Sequence, residues 1–104
     1  MSIAKDNLIA ARELIADPAH WTTGTYARHK NGNSIGPEES NACQWCSIGA
    51  LRKVMGSPAI LCVTGSEGAA LSEQMDGFDI ASFNDTRTHA AVIAAWDRAI
   101  EATP

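Results

Sequence analysis

Basic residues are scarce in this chain. Eight lysines and arginines stand against twelve aspartates and glutamates, for a net charge of −4. A nucleic-acid binder concentrates positive charge on one face. The cations here are scattered, so no nucleic-acid partner is expected. Long apolar runs are missing too. No stretch approaches the ~18 residues that read as a membrane span, so no membrane association is expected. The opening Met1-Ser2-Ile3-Ala4-Lys5-Asp6 lacks the basic-then-apolar order of a secretory signal. Three cysteines cannot all pair within one chain, which disfavours a secreted disulfide scaffold. The expected compartment is cytoplasmic, with reduced thiols. There is no phosphate-binding glycine motif, no G-x-S-x-G and no H-E-x-x-H, and no repeat or low-complexity tract.

What is present describes a globular chain. Hydrophobic residues make up 45% and charged residues 19%, which excludes a disordered tail. A length of 104 residues predicts a single domain, 1–104, with one modest core.

Local patterns outline the elements. Ser2 reads as the N-cap of an amphipathic helix to about Ala16, with Ile3, Leu8, Ala11, Leu14 and Ile15 as its stripe. Asp17-Pro18 ends it, because the residue before a proline avoids helical geometry. Thr22 to His29, then Lys30-Asn31-Gly32-Asn33, predicts a small β-hairpin. Asn41 to Met55 reads as a central helix, apolar on most sides and closed by Gly56, so that Cys43-Gln44-Trp45-Cys46 lies in its first turns. Gly49 costs about 1 kcal/mol there relative to alanine, which predicts close approach of another backbone. Ser57-Pro58 opens a short helix, with a strand over 59–64 as the rival. A further helix covers about 67–75. Phe78, Ile80 and Phe83 anchor a loop or short turn. Candidate caps at Asn84 to Thr88 lead into a last helix to about Glu101, with Val92, Ile93, Trp96, Ala99 and Ile100 on one face. The expected class is α+β and mostly helical: four to five helices around a central buried helix, with one hairpin.

Chemistry could sit in few places. Cys43-x-x-Cys46 with Cys62 could supply thiolates to a metal, but no fourth ligand stands out and no paired spacing recurs. Core cysteines are the simpler reading, and no metal or cofactor is expected. Cys46 could instead be a nucleophile, with His89 as base and Asp85 as orienter. It is preferred over Cys43 because it adjoins Trp45 and precedes Gly49. Asp85 and His89 are four apart and could meet across a helix turn. Asn84 to Thr88 also suits plain helix capping. Arg28 and His29 flank the expected turn and are candidate binding residues, as is Asn84. Trp21 and Tyr26 beside them suit a binding surface or core filling, and core filling is the reading for Trp21.

Ala16-Asp17-Pro18 with Trp21, then Trp45-Cys46-Ser47-Ile48-Gly49-Ala50-Leu51, then Phe83-Asn84-Asp85 and Ala99-Ile100, resembles an uncharacterised family of small bacterial and phage proteins. The resemblance implies no activity. It implies that the Trp45-Cys46 segment and the Asn84-Asp85 pair are characteristic of the family, and it favours an interaction role such as inhibition of a host system. The leading expectation is a non-enzymatic protein-interaction or regulatory module. The alternative is a cysteine-dependent hydrolase or transferase using Cys46, His89 and Asp85.

Overall fold

The computed structural model describes residues 2–104. Its helices are α1 (Ile3–Leu14), α2 (Ser47–Met55), α3 (Ala59–Thr64), α4 (Ser66–Ser72), α5 (Ile80–Thr86) and α6 (His89–Ala102). Strands β1 (Ala27–His29) and β2 (Ala42–Trp45) form an antiparallel pair, and a 3-10 turn covers Pro18–His20. The fold is α+β and mostly helical, as the sequence predicts.

The first helix forms for the expected reasons. Ser2 Oγ accepts the Lys5 N–H at 3.1 Å, a cap worth about 1 kcal/mol. Leu8, Ala11 and Ile15 are fully buried. Ile3 was expected on that stripe but is 79% exposed. It sits about 140° around the helix from Leu8, so it faces away. Beyond the helix, Asp17 Oδ1 accepts the Ala19 N–H at 2.9 Å and caps the 3-10 turn.

The main correction concerns Cys43-Gln44-Trp45-Cys46. These residues were expected in the first turns of a helix. Cys43 to Trp45 instead lie in β2, and the helix starts only at Ser47. Pairing with β1 decides it: Ala27 faces Trp45, Arg28 faces Gln44, and His29 faces Ala42. The cap is Cys46, not Asn41. Cys46 has an extended backbone, and its Sγ accepts the Gly49 N–H at 3.3 Å. From there the expectation holds. Ser47 to Leu51 are all buried, and Gly56 ends α2 in the left-handed region at φ 65°. A methyl on Gly49 would collide with the Tyr26 carbonyl oxygen.

The Lys30–Asn33 turn also forms. The His29 N–H donates to Asn33 O at 2.9 Å, and the Gly32 N–H donates to His29 O at 2.8 Å. It returns the chain only to one bridge, between Arg28 and Ser34. The main partner of β1 comes from β2.

The later elements form where expected and differ in some boundaries. Residues 59–64 are helical, as first expected over the rival strand, but Pro58 holds the cap position expected of Ser57. Ile80 and Phe83, expected in a loop, are buried on α5. Asp79 Oδ1 caps α5 by accepting the Ser82 N–H at 2.7 Å. Arg87 is extended, and Thr88 Oγ1 caps α6 by accepting the Ala91 N–H at 3.2 Å.

One core joins these elements. Leu8, Ile15, Leu51, Leu71, Met75, Val92 and Trp96 are fully buried within it. Each such side chain contributes about 1.5–3 kcal/mol by leaving water. Among the described residues no helix is long and apolar enough to cross a membrane.

Candidate functional site

Asn84 is 1% exposed and carries the densest set of polar contacts in the interior. Its Oδ1 accepts the Trp21 Nε1–H at 2.9 Å, the Ser47 N–H at 3.0 Å and the Ser47 hydroxyl at 2.9 Å. Its Nδ2 donates to Thr22 O and to Asp85 Oδ1, each at 3.1 Å. Ser47 Oγ in turn accepts the Trp96 Nε1–H at 3.0 Å. One amide therefore ties the loop at Trp21, the start of α2, and the centre of α6. Buried polar groups need such partners, and here each finds one. The network also supplies an acceptor to a first-turn amide of α2, which has none within the helix. Ser47 was not singled out from the sequence. A small polar residue inside an otherwise apolar segment was the signal that could have marked it.

Asp85 is exposed beside this hub. Its Oδ1 accepts the Gly24 N–H at 3.1 Å as well as the Asn84 amide. Asp85 and Cys46 border the same cleft, so the structure brings these two predicted residues together. It does not bring His89 to them. The His89 Nε2 lies 2.7 Å from Ile15 O, and its ring meets Trp21 edge-on at 5.4 Å. The four-residue spacing was expected to place Asp85 and His89 on one helix turn. The break at Arg87 separates them instead, onto α5 and α6.

The Cys46 environment suits a neutral thiol. Burial pushes its pKa up from the ordinary 9.0, outweighing the hydrogen bonds from Gly49 and Ile48 that lower it, and the nearby Asp85 charge adds to the rise. A thiol so placed is a poor nucleophile near neutral pH.

Cys43 and Cys46 bracket a strand-to-helix junction, yet they do not face each other. Side chains alternate along a strand. Cys43 borders a separate cleft with His20 and Leu14, while Cys46 faces Asp85. Cys43, Cys46 and Cys62 are all free thiols. Among the described residues, no group of three or more His, Cys, Asp or Glu side chains is arranged to hold a metal ion.

Arg28 is spent on the scaffold. It donates to Thr22 Oγ1 at 2.8 Å, Gly32 O at 2.9 Å and Thr23 O at 3.0 Å. His29 is half-buried, and its Nδ1 accepts the Asn31 N–H at 3.3 Å. Both residues shape the turn.

A groove opens beside the hub. Its smaller lobe, about 300 Å³, lies between Gly24, Cys46 and Asp85. Its larger lobe, about 530 Å³, runs on to Ile60, Val63 and Asp79. Tyr26, Ile48 and Ala81 border both lobes, so the two are adjacent. Tyr26 is 40% exposed and Ile60 is 64% exposed. The sequence did not suggest Ile60 as a binding residue, because α3 and α5 border one groove only in the fold.

No curated protein and no solved structure matches this chain. The model of a family of unknown function, DUF6197, covers residues 2–102, almost the whole length, and the chain belongs to that family.

Proposed function

We propose that this chain is a non-catalytic protein-interaction module that acts in the cytoplasm and regulates a partner through the groove bordered by Tyr26, α3 and α5. One observation carries the reading: two adjacent, mostly apolar lobes that share Tyr26, Ile48 and Ala81, beside which Tyr26 and Ile60 remain exposed. Apolar surface gathered in one concavity is the usual mark of a recognition site. The resemblance to small bacterial and phage proteins supports a regulatory target, such as a host protein held inactive. Aspartates at the groove disfavour phosphate-bearing ligands, which supports a protein partner over nucleic acid.

Cysteine catalysis through Cys46, Asp85 and His89 has weaker support. The Cys46 thiol is buried and holds its proton, and the His89 ring nitrogen is engaged with Ile15.

Site-specific photo-crosslinking tests the interaction reading. A photoreactive residue at position 60, compared with one at position 98 on α6, should capture a discrete partner only at position 60. Binding of that partner, once identified and purified, should be lost in Ile60→Asp and kept in Cys46→Ser. Equal capture from both positions, or a turnover that needs Cys46, would defeat the reading.

A further inference from the structure

We infer that the groove takes an amphipathic helical segment of a partner protein, with the segment's apolar face on Ile48, Ile60 and Val63 and its flanking lysines or arginines against Asp79 and Asp85. The inference rests on the interaction reading above and names the chemistry of the occupant.

Charge selects a basic segment. Among the described residues, the only charged ones bordering either lobe are Asp79 and Asp85. Neighbouring cations are already engaged. Arg28 is bound to Thr22, Thr23 and Gly32. Arg52 lies over the Tyr26 ring at 5.0 Å and pairs with Glu38 at 3.6 Å. Arg87 sits over Phe78 and Phe83 at 4.7 and 5.1 Å. Asp79 is fully exposed and held ionised by the Ser82 N–H and hydroxyl, so its charge faces water or a partner. Asp85 uses only Oδ1 within the fold among the described residues. The two carboxylates are six residues apart, about 9 Å along the α5 direction. Cations one to two turns apart on a partner helix match that span.

The sheet selects a helix over an added strand. Strand addition needs an open edge. β1 is bonded to β2 on one side and to Ser34 and Ile35 on the other. β2 is bonded on its far side through Trp45 to Trp21 and Thr22. What remains is the groove itself, bordered by Ile48, Ile60 and Val63, and an apolar groove takes a helix through its i, i+4 and i+7 anchors.

The test uses the full chain and two synthetic helical peptides. Both carry leucine on one face. One has two lysines flanking that face a turn apart, and its twin has glutamates there. Fluorescence anisotropy measures binding. The lysine peptide should bind, its glutamate twin should bind more weakly, and added salt should narrow the gap. Asp79→Asn and Asp85→Asn should each weaken the lysine peptide about threefold, the scale of an exposed ion pair. Asparagine at 85 keeps an oxygen for Gly24, and position 79 lies away from the buried hub, so a folding defect in one variant leaves the other informative. Equal binding of the twins, no binding of the lysine peptide, or a groove closed by a second copy in sedimentation would each overturn the inference. If both peptides fail while position 60 still crosslinks an Ile60→Asp-sensitive partner, the interaction reading stands and only the occupant is wrong.

Discussion

The side-chain oxygen of Asn84 accepts the Ser47 hydroxyl at 2.9 Å, and that hydroxyl accepts the Trp96 indole N–H at 3.0 Å. Replacing the asparagine with leucine strands the Ser47 amide and the Trp21 indole N–H, both of which end on the same oxygen. Asn84→Leu should cost about 2–4 kcal/mol in urea unfolding, because buried donors lose their acceptor. Loss of order around Trp21 should appear in its fluorescence at the same time. A cost under 1 kcal/mol would show that water takes over those donors.

Gly49 sets a contest of two effects. Helix propensity alone favours alanine there by about 1 kcal/mol. The missing methyl would collide with Tyr26 O, a backbone atom that cannot rotate away. Crowding should win, so Gly49→Ala should lower the unfolding midpoint by about 2 kcal/mol or more. A stabilised variant would mean that the loop at Tyr26 yields freely.

The buried Cys46 thiol makes a prediction at alkaline pH. Its folded pKa lies above the ordinary 9.0. Below 9.0 both folded and unfolded chains hold the proton, and stability is flat. Above it the unfolded chain releases the proton first, so stability falls as pH rises. Cys46→Ser should lessen that fall while keeping the cap to Gly49, because serine is a good N-cap. Alkylation of the native chain followed by mass spectrometry should label half-buried Cys43 ahead of Cys46 and Cys62.

Asp79 makes the opposite prediction in acid. Hydrogen bonds from Ser82 lower its pKa from 3.8. Its contribution is complete above that value and is lost as pH falls through the lowered one. Asp79→Asn keeps a capping oxygen without the charge, so its stability curve should be flatter below pH 3.8 than that of the parent. Identical curves would show that the charge itself contributes nothing.

Legibility tracked locality. Ser2, Asp17-Pro18 and Gly56 act within a turn of their own position, and the sequence marks each correctly, while Thr88 is one of several caps it offers over Asn84 to Thr88. The crowding at Gly49 was also legible, because a glycine inside a helix needs a reason. Residues 42–45 were not. Their apolar side chains suit a helix or a strand, and pairing with Ala27–His29 chose the strand. The pairing of Asp85 with His89 rested on spacing alone, and one extended residue at Arg87 undid it. Asn84 was picked out, but its meaning comes from donors at Trp21 and Ser47, which no local pattern joins to it.

The close contact at Gly49 also bears on how fast and how tightly a partner could be held. The Tyr26 carbonyl is confined between Gly49 and the Cys46 N–H, which donates to it at 3.2 Å. The backbone beneath the Tyr26 ring is therefore set before any ligand arrives. An aromatic side chain on a fixed base surrenders little freedom on association, so more of its contact energy survives as affinity. If a partner docks there as proposed, a glycine that never touches it would thus lower the entropy cost of binding at the rim.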